Sequence, residues 1–242
     1  MKCTVKHFSR FSVEKGVGGD LNRPQAWDAL RSHTGQDDPF AFPADRRQWQ
    51  DKAMGNEALN RRADDLAKFI HGGGYGAVHS FGVGTAALEF LLKRRLKNVI
   101  MHCSDYAPKT VEILRGFFPE AEVGCFDMGK DRFPAAPEHG LCLLHRVDTE
   151  FSDGQWRDMF GRMADAGIRD IVFIPHALIG PADILKEAVK GWLRPWVKGM
   201  AFAGYVRTKQ RLFELWQDHY RLCREIPAGD LRGFVLNLKR KA

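Results

Sequence analysis

Val78 to Leu92 reads VHSFGVGTAALEFLL, and Asn98 to Leu114 reads NVIMHCSDYAPKTVEIL. The first is a short apolar run, a Gly-Val-Gly turn and an Ala/Leu/Glu helix pattern. The second is another apolar run, ending in Ser104-Asp105, and then a segment opening on Pro108, a residue suited to a first helical turn. Two strand-to-helix units in series imply neighbouring parallel strands joined by a crossover helix. Asp105 stands 23 residues beyond Gly82. A glycine turn for one end of a ligand, with an acid on the next strand to meet ribose hydroxyls, is what an adenosine-containing cofactor requires.

The alternation continues outward from this pair. Ala77–Phe81 is strand one and Thr85–Arg94 a helix. Asn98–Cys103 is strand two and Pro108–Phe118 a helix. Ala121–Phe126 is a third strand. GLCLLH at Gly140–His145 is a fourth, followed by a helix over Asp153–Ala166, and IRDIVFI at Ile168–Ile174 is a fifth. Such spacing predicts right-handed crossovers and a parallel sheet. Gly199–Phe202 is ambiguous, and Val206–Tyr220 has helical spacing. The runs Tyr220–Ile226 and Gly233–Lys239 are separated by too few residues for a crossover helix, so they pair as a hairpin and bring an antiparallel strand into the sheet. Upstream, Ala58, Leu59, Ala63, Leu66, Ala67 and Ile70 recur at helical spacing within Asp45–His71, which stops at a glycine triplet. Residues 1–47 are irregular, rich in Gly and Pro, with a short helix over Pro24–Ser32; they read as an extension or lid over a domain spanning 48–242.

Composition bounds the function. With 242 residues, 44% hydrophobic and 28% charged, the chain can form one α/β domain with its own core. A net charge of +7 favours anionic ligands or surfaces, although the densest cluster, Lys239 to Lys241, reads as a solvated tail. Five scattered cysteines without C-x-x-C spacing fit reduced thiols in a cytoplasm. Neither a signal peptide nor an apolar run long enough to span a membrane is present, and His and acidic residues show no metal-ligand spacing.

These residues resemble the class I S-adenosylmethionine-dependent methyltransferases over about Tyr75 to Lys239. The resemblance implies a doubly wound α/β fold with a seven-stranded, mostly parallel sheet and a C-terminal antiparallel hairpin. The family's acid-x-Gly-x-Gly-x-Gly motif falls on Ser80, Phe81, Gly82, Gly84 and Ala86, with serine in place of the acid and alanine in place of the third glycine. The family's ribose-binding acid matches Asp105, and the acid that meets the adenine amino group matches Asp127, with Met128 offering a main-chain N–H. Tyr106 lies against the adenine face. The implied cofactor is S-adenosyl-L-methionine, held by Ser80, Phe81, Gly82, Gly84, Asp105, Tyr106, Asp127, Met128 and His145. Each position also has a plain structural reading, Asp105 as a helix cap and Gly-x-Gly as a tight turn.

Methyl transfer requires alignment of nucleophile and methyl group and, for some acceptors, removal of a proton. Side chains just beyond the fourth and fifth strands face that reaction: His145 as general base, Asp148 to orient it, and Arg146 and His176 to anchor acceptor. His145 packing on cofactor and Asp148 capping its loop are the structural alternatives. Trp192 and Trp196, in an aromatic and basic stretch, are pocket candidates. The absence of Asn-Pro-Pro-Tyr, Asp-Pro-Pro-Tyr and Pro-Cys motifs argues against DNA base methylation. The expected acceptor is therefore a small molecule or a glycan- or lipid-linked group. Competing readings are an NAD-dependent oxidoreductase and a degenerate cofactor-fold protein that binds RNA or a protein partner.

Overall fold

The computed structural model describes residues 2–10, 41–135, 137–193, 196–197 and 200–239. The expected helix at Pro24–Ser32 lies outside them. In chain order the elements are β1 (Thr4–Arg10), α1 (Arg46–Gly55), α2 (Glu57–Gly72), β2 (Ala77–Phe81), α3 (Ala87–Arg95), β3 (Ile100–Asp105), α4 (Pro108–Phe117), β4 (Glu122–Cys125), β5 (Gly140–His145), α5 (Asp153–Asp165), β6 (Asp170–Ile174), α6 (Pro181–Leu193), β7 (Met200–Arg207), α7 (Lys209–Phe213), β8 (Tyr220–Ala228) and β9 (Leu231–Leu238).

Seven strands form one sheet in the order β4-β3-β2-β5-β6-β9-β8. β2 through β6 are mutually parallel, and β9 runs antiparallel to both β6 and β8. Alternate residues along each strand face opposite layers. Val78, Met101, Leu143 and Val172 pack with Leu66, Ile70, Leu91 and Leu114 of α2 to α4. Phe81, Cys142, Leu144 and Phe173 pack on the other face with Trp156, Phe160 and Trp216. Helices therefore cover both faces, and strand order reverses at β2, whose neighbours are β3 and β5.

Local chemistry sets the boundaries. The single helix expected over Asp45–His71 is two. Asn56 takes extended dihedrals and its side chain accepts from the Leu59 N–H, ending α1 and starting α2. Ser152 and Gln155 close a capping box on α5. The helix expected over Val206–Tyr220 is corrected: β7 runs to Arg207, Thr208 caps the short α7, and turns follow to Tyr220. Leu212, Leu215 and Trp216 are nonetheless buried, which accounts for the helical spacing of their apolar pattern.

β1 and β7 form a second, two-stranded antiparallel sheet, with Thr4 opposite Arg207 and Arg10 opposite Met200. This ribbon lies on the loops that follow β5 and β6. The Tyr205 N–H donates to the Thr149 carbonyl at 2.8 Å, and the Ile179 N–H donates to the Arg207 carbonyl at 3.0 Å. Gly204 has φ +114°, and a Cβ there would stand 2.3 Å from the Thr149 oxygen. Only glycine allows the ribbon to sit this close. Farther along the chain, Phe42 packs edge-on against Phe117 in the main core.

Candidate functional site

The carboxyl ends of the parallel strands carry nearly every residue singled out in the sequence. On the β2–β4 side, the Gly82 N–H donates to the Ser104 carbonyl at 2.7 Å, drawing the turn onto β3. Gly82 and Gly84 have φ of +67° and +57°, conformations that favour glycine. The Gly84 N–H donates to Asp105 Oδ2 at 2.9 Å, and the Ala107 N–H donates to Oδ1 at 3.0 Å. Asp105, 1% exposed, thus braces the glycine turn and the start of α4 together.

Details differ from the expectation of a bare cradle. The space where a Gly82 Cβ would lie is taken by Val147, whose Cγ1 would be 2.5 Å away. Glycine here admits the loop after β5. Ser80 turns inward and donates to Glu89 Oε1 at 2.7 Å. Burial raises the Glu89 carboxyl to about 7. The Phe81 ring is buried, stacked on His79 with centroids 4.0 Å apart and flanked by Phe126 and Phe133. Only its main chain belongs to the turn. Asp127 Oδ1 accepts from the Gly129 N–H at 2.9 Å, and its Oδ2 lies 3.0 Å from Lys130 Nζ. Met128 is buried with its carbonyl accepting from Arg162, and Tyr106 is half-buried.

The β5–β6 side is a polar network. His145 Nε2 pairs with Arg62 Nη1 at 3.1 Å, and Arg62 Nη2 donates to Asp230 at 2.6 Å. Burial, with the Arg62 and Arg146 cations, lowers His145 to about 3. It is neutral at ordinary pH, and Nε2, facing a permanent cation, is its acceptor atom. Arg146 has φ +59°, and its Nε and Nη2 donate to His176 Nδ1 at 3.0 and 2.7 Å. The His176 main-chain N–H donates to Asp148 Oδ1 at 2.6 Å. Asp148 Oδ2 is buried without a hydrogen-bond partner, and burial pushes this carboxyl up to about 6.

Residues that the sequence reading missed complete the network. Arg207, fully buried, donates to the Asp148 and Phe151 carbonyls and to Asp153. Asp153 also accepts from Thr4 and Arg211. On the ribbon, His7 meets Glu187 of α6 at 3.0 Å. Arg62 carried a signal, a charge inside the apolar stripe of α2; the others pair across distant parts of the chain and left none. Trp192 and Trp196 pack on each other, with centroids 5.3 Å apart, and are 69% and 67% exposed. Trp192 lies in the last turn of α6 and Trp196 just beyond it, and none of their described contacts joins the network.

Among the described residues, no three His, Cys, Asp or Glu side chains converge on a metal position. No helix among them is long and apolar enough to cross a membrane.

No protein-family model matches the chain, and no protein of curated function does. Solved structures do. Human N-acetylserotonin methyltransferase, in complex with S-adenosylmethionine, aligns with TM-score 0.55 and 20% identity, over 81% of this chain and 55% of its own. A mitomycin 7-O-methyltransferase aligns with TM-score 0.57 and 15% identity, over 95% and 76%. An O-methyltransferase from neocarzinostatin biosynthesis, in complex with S-adenosylmethionine and a naphthoic acid, aligns with TM-score 0.53 and 19% identity, over 69% and 50%. The chain spans about half the length of the first and third of these. Strand order, the antiparallel β9 and these alignments agree: the chain has the class I S-adenosylmethionine-dependent methyltransferase fold.

Proposed function

We propose that the protein transfers a methyl group from S-adenosylmethionine to a small-molecule acceptor at the carboxyl ends of β2 to β6. One observation carries this reading. The Gly82–Gly84 turn, with positive φ at both glycines, is tied by the Gly84 N–H to Asp105 at the tip of the adjacent strand. It lies where strand order reverses, the place at which open α/β sheets bind ligands. The donor set fits the cofactor. The turn carries no side chain at Gly82 and Gly84, and carboxylates stand at or just beyond the ends of two neighbouring strands at Asp105 and Asp127. A carboxylate accepts about four hydrogen bonds, so the N–H groups held by Asp105 are compatible with ribose hydroxyls on the same oxygens. Tyr106 and Met128 would flank the adenine. The cofactor supplies an electrophilic methyl on a sulfonium.

For acceptors that must lose a proton, Asp148 is the better base of the two candidates. Its Oδ2 has no partner, and its carboxyl, near 6, lies close to neutral pH. His145, near 3, already turns its acceptor nitrogen to Arg62. The ribbon's position over both loops supports a closing role for the N-terminal segment, and the free cysteines support a cytoplasmic setting.

A second reading, a degenerate cofactor fold that binds RNA or a partner, is favoured by the burial of Asp105 with main-chain N–H groups on both oxygens. One calorimetric experiment separates the two. Saturable binding of S-adenosylmethionine and S-adenosylhomocysteine, lost in Asp105→Ala with the fold intact, supports the methyltransferase. Binding of NAD(H) alone moves the protein to the oxidoreductases. No nucleotide binding, with salt-sensitive RNA binding, favours the degenerate fold.

A further inference from the structure

We propose that Arg146 and His176 form a recognition site for the carboxylate of an acidic acceptor. The proposal rests on reading the β5–β6 rim as the acceptor side. Arg146 is exposed, yet its guanidinium is not loose, because two of its nitrogens donate to one ring nitrogen of His176. Accepting at Nδ1 places the ring proton on Nε2. The pair therefore presents donors only, the remaining Arg146 N–H groups and the His176 Nε2–H. His176 stays neutral, lowered to about 4 by burial and by the Arg146 cation.

The charge balance points the same way. Arg62 has Asp230, Arg207 has Asp153, Arg211 has Asp153 and Glu214, and Lys190 has Glu187. Among the described residues, Arg146 has no carboxylate within ion-pair distance. A cation with no direct ion pair beside one neutral donor suits an anion, and the planar guanidinium fork matches the two oxygens of a carboxylate. The backbone is committed to this geometry as well. Arg146 holds φ +59°, a conformation that is strained in a residue with a side chain. Its N–H is fixed on the Ile174 carbonyl at 2.7 Å, and the His176 N–H is fixed on Asp148. Strain of this kind persists where surrounding contacts over-determine it, and here those contacts aim a cation outward. The net charge of +7 favours the approach of an anion.

The test titrates the full-length protein with benzoate, benzamide and inorganic phosphate at fixed ionic strength, reading His176 and Arg146 side-chain NMR signals. Benzoate is expected to saturate. Benzamide should bind about tenfold more weakly, as should benzoate to Arg146→Gln, the usual cost of losing one charged partner. His176→Gln, which keeps the charge but not its orientation, should weaken benzoate about threefold. Thermal melts accompany each variant, and Arg146→Lys, which keeps the charge without the fork, replaces Arg146→Gln if the latter does not fold. Equal binding of acid and amide, benzoate binding unchanged in Arg146→Gln, or no saturable benzoate binding would each overturn the proposal. So would tenfold tighter binding of phosphate. Titration with S-adenosylmethionine probes the other half of the rim, so failure of the methyltransferase reading shows there while the benzoate result stands separately.

Discussion

On the β2–β4 side of the rim, the polar contacts join residues close in the chain. Ser80 reaches Glu89, nine positions on, and Gly84 reaches Asp105, twenty-one positions on. On the β5–β6 side, Arg62 reaches His145 and Asp230 across 83 and 168 positions, Thr4 reaches Asp153 across 149, and His7 reaches Glu187 across 180. The first side is a local backbone shape that a motif can encode. The second is an assembly of distant charges, and it depends on the whole fold for its geometry. Substitutions should therefore act differently on the two sides, with large stability losses on the second and smaller, ligand-linked effects on the first.

The largest expected effect is at Arg207. Arg207→Ala removes a fully buried cation bound to Asp153 and two loop carbonyls, and should cost about 3–5 kcal/mol in denaturant unfolding. A loss below about 1 kcal/mol would mean that the network does not hold the ribbon, and the contrast between the two sides would fail. Gly204→Ala comes next. Its Cβ would meet the Thr149 carbonyl at 2.3 Å with φ at +114°, so about 2–3 kcal/mol of strain is expected, with the ribbon displaced while adenosyl-ligand affinity is retained.

Glu89 gives a pH-dependent test of the first side. Its carboxyl lies near 7 in the folded chain against an ordinary 4.5. The unfolded chain therefore releases this proton at lower pH than the folded one. The contribution to stability is full below pH 4.5, falls as pH rises to about 7, and is constant above. Asp148, raised from 3.8 to about 6, adds a fall of the same sign at lower pH. Glu89→Gln should abolish the first fall alone and make the variant more stable, relative to the parent, at pH 8 than at pH 5 by on the order of 2 kcal/mol. Parallel stability curves for parent and variant across this range would refute it. The smallest effect is at Ala86, which begins α3 at φ +50° without a side-chain cap. Ala86→Gly should relieve left-handed strain and stabilise by about 0.5–1 kcal/mol, seen as a small rise in Tm.

Legibility follows the same division. β2 and β5 were readable to the residue because short apolar runs between turn signals have few alternatives. The glycine turn and Asp105 came from spacing. The break at Asn56 was missed because the apolar stripe runs through it, and only the capping geometry reveals the stop. β1 went unread because its partner strand lies far away in sequence. The inward turn of Ser80 toward Glu89 and the seating of Val147 over Gly82 are packing outcomes that no motif records. His145 was correctly placed at the strand end, but its neighbour Arg62, which with burial keeps it neutral, lies on a helix with no sequence link to it.

The ribbon has a consequence for how the chain is made. Thr208 and Cys3 exchange hydrogen bonds across 205 positions. Closing such a loop from an unfolded chain costs roughly 4 kcal/mol more entropy than closing a two-residue hairpin. During synthesis, Thr4–Arg10 leaves the ribosome long before Met200–Arg207 and waits for it before it gains a partner. Until then it is an unpaired strand edge. The ribbon side of the molecule is thus the last to form, and pulse-labelling hydrogen exchange should show β1 amides gaining protection after those of β2 and β3.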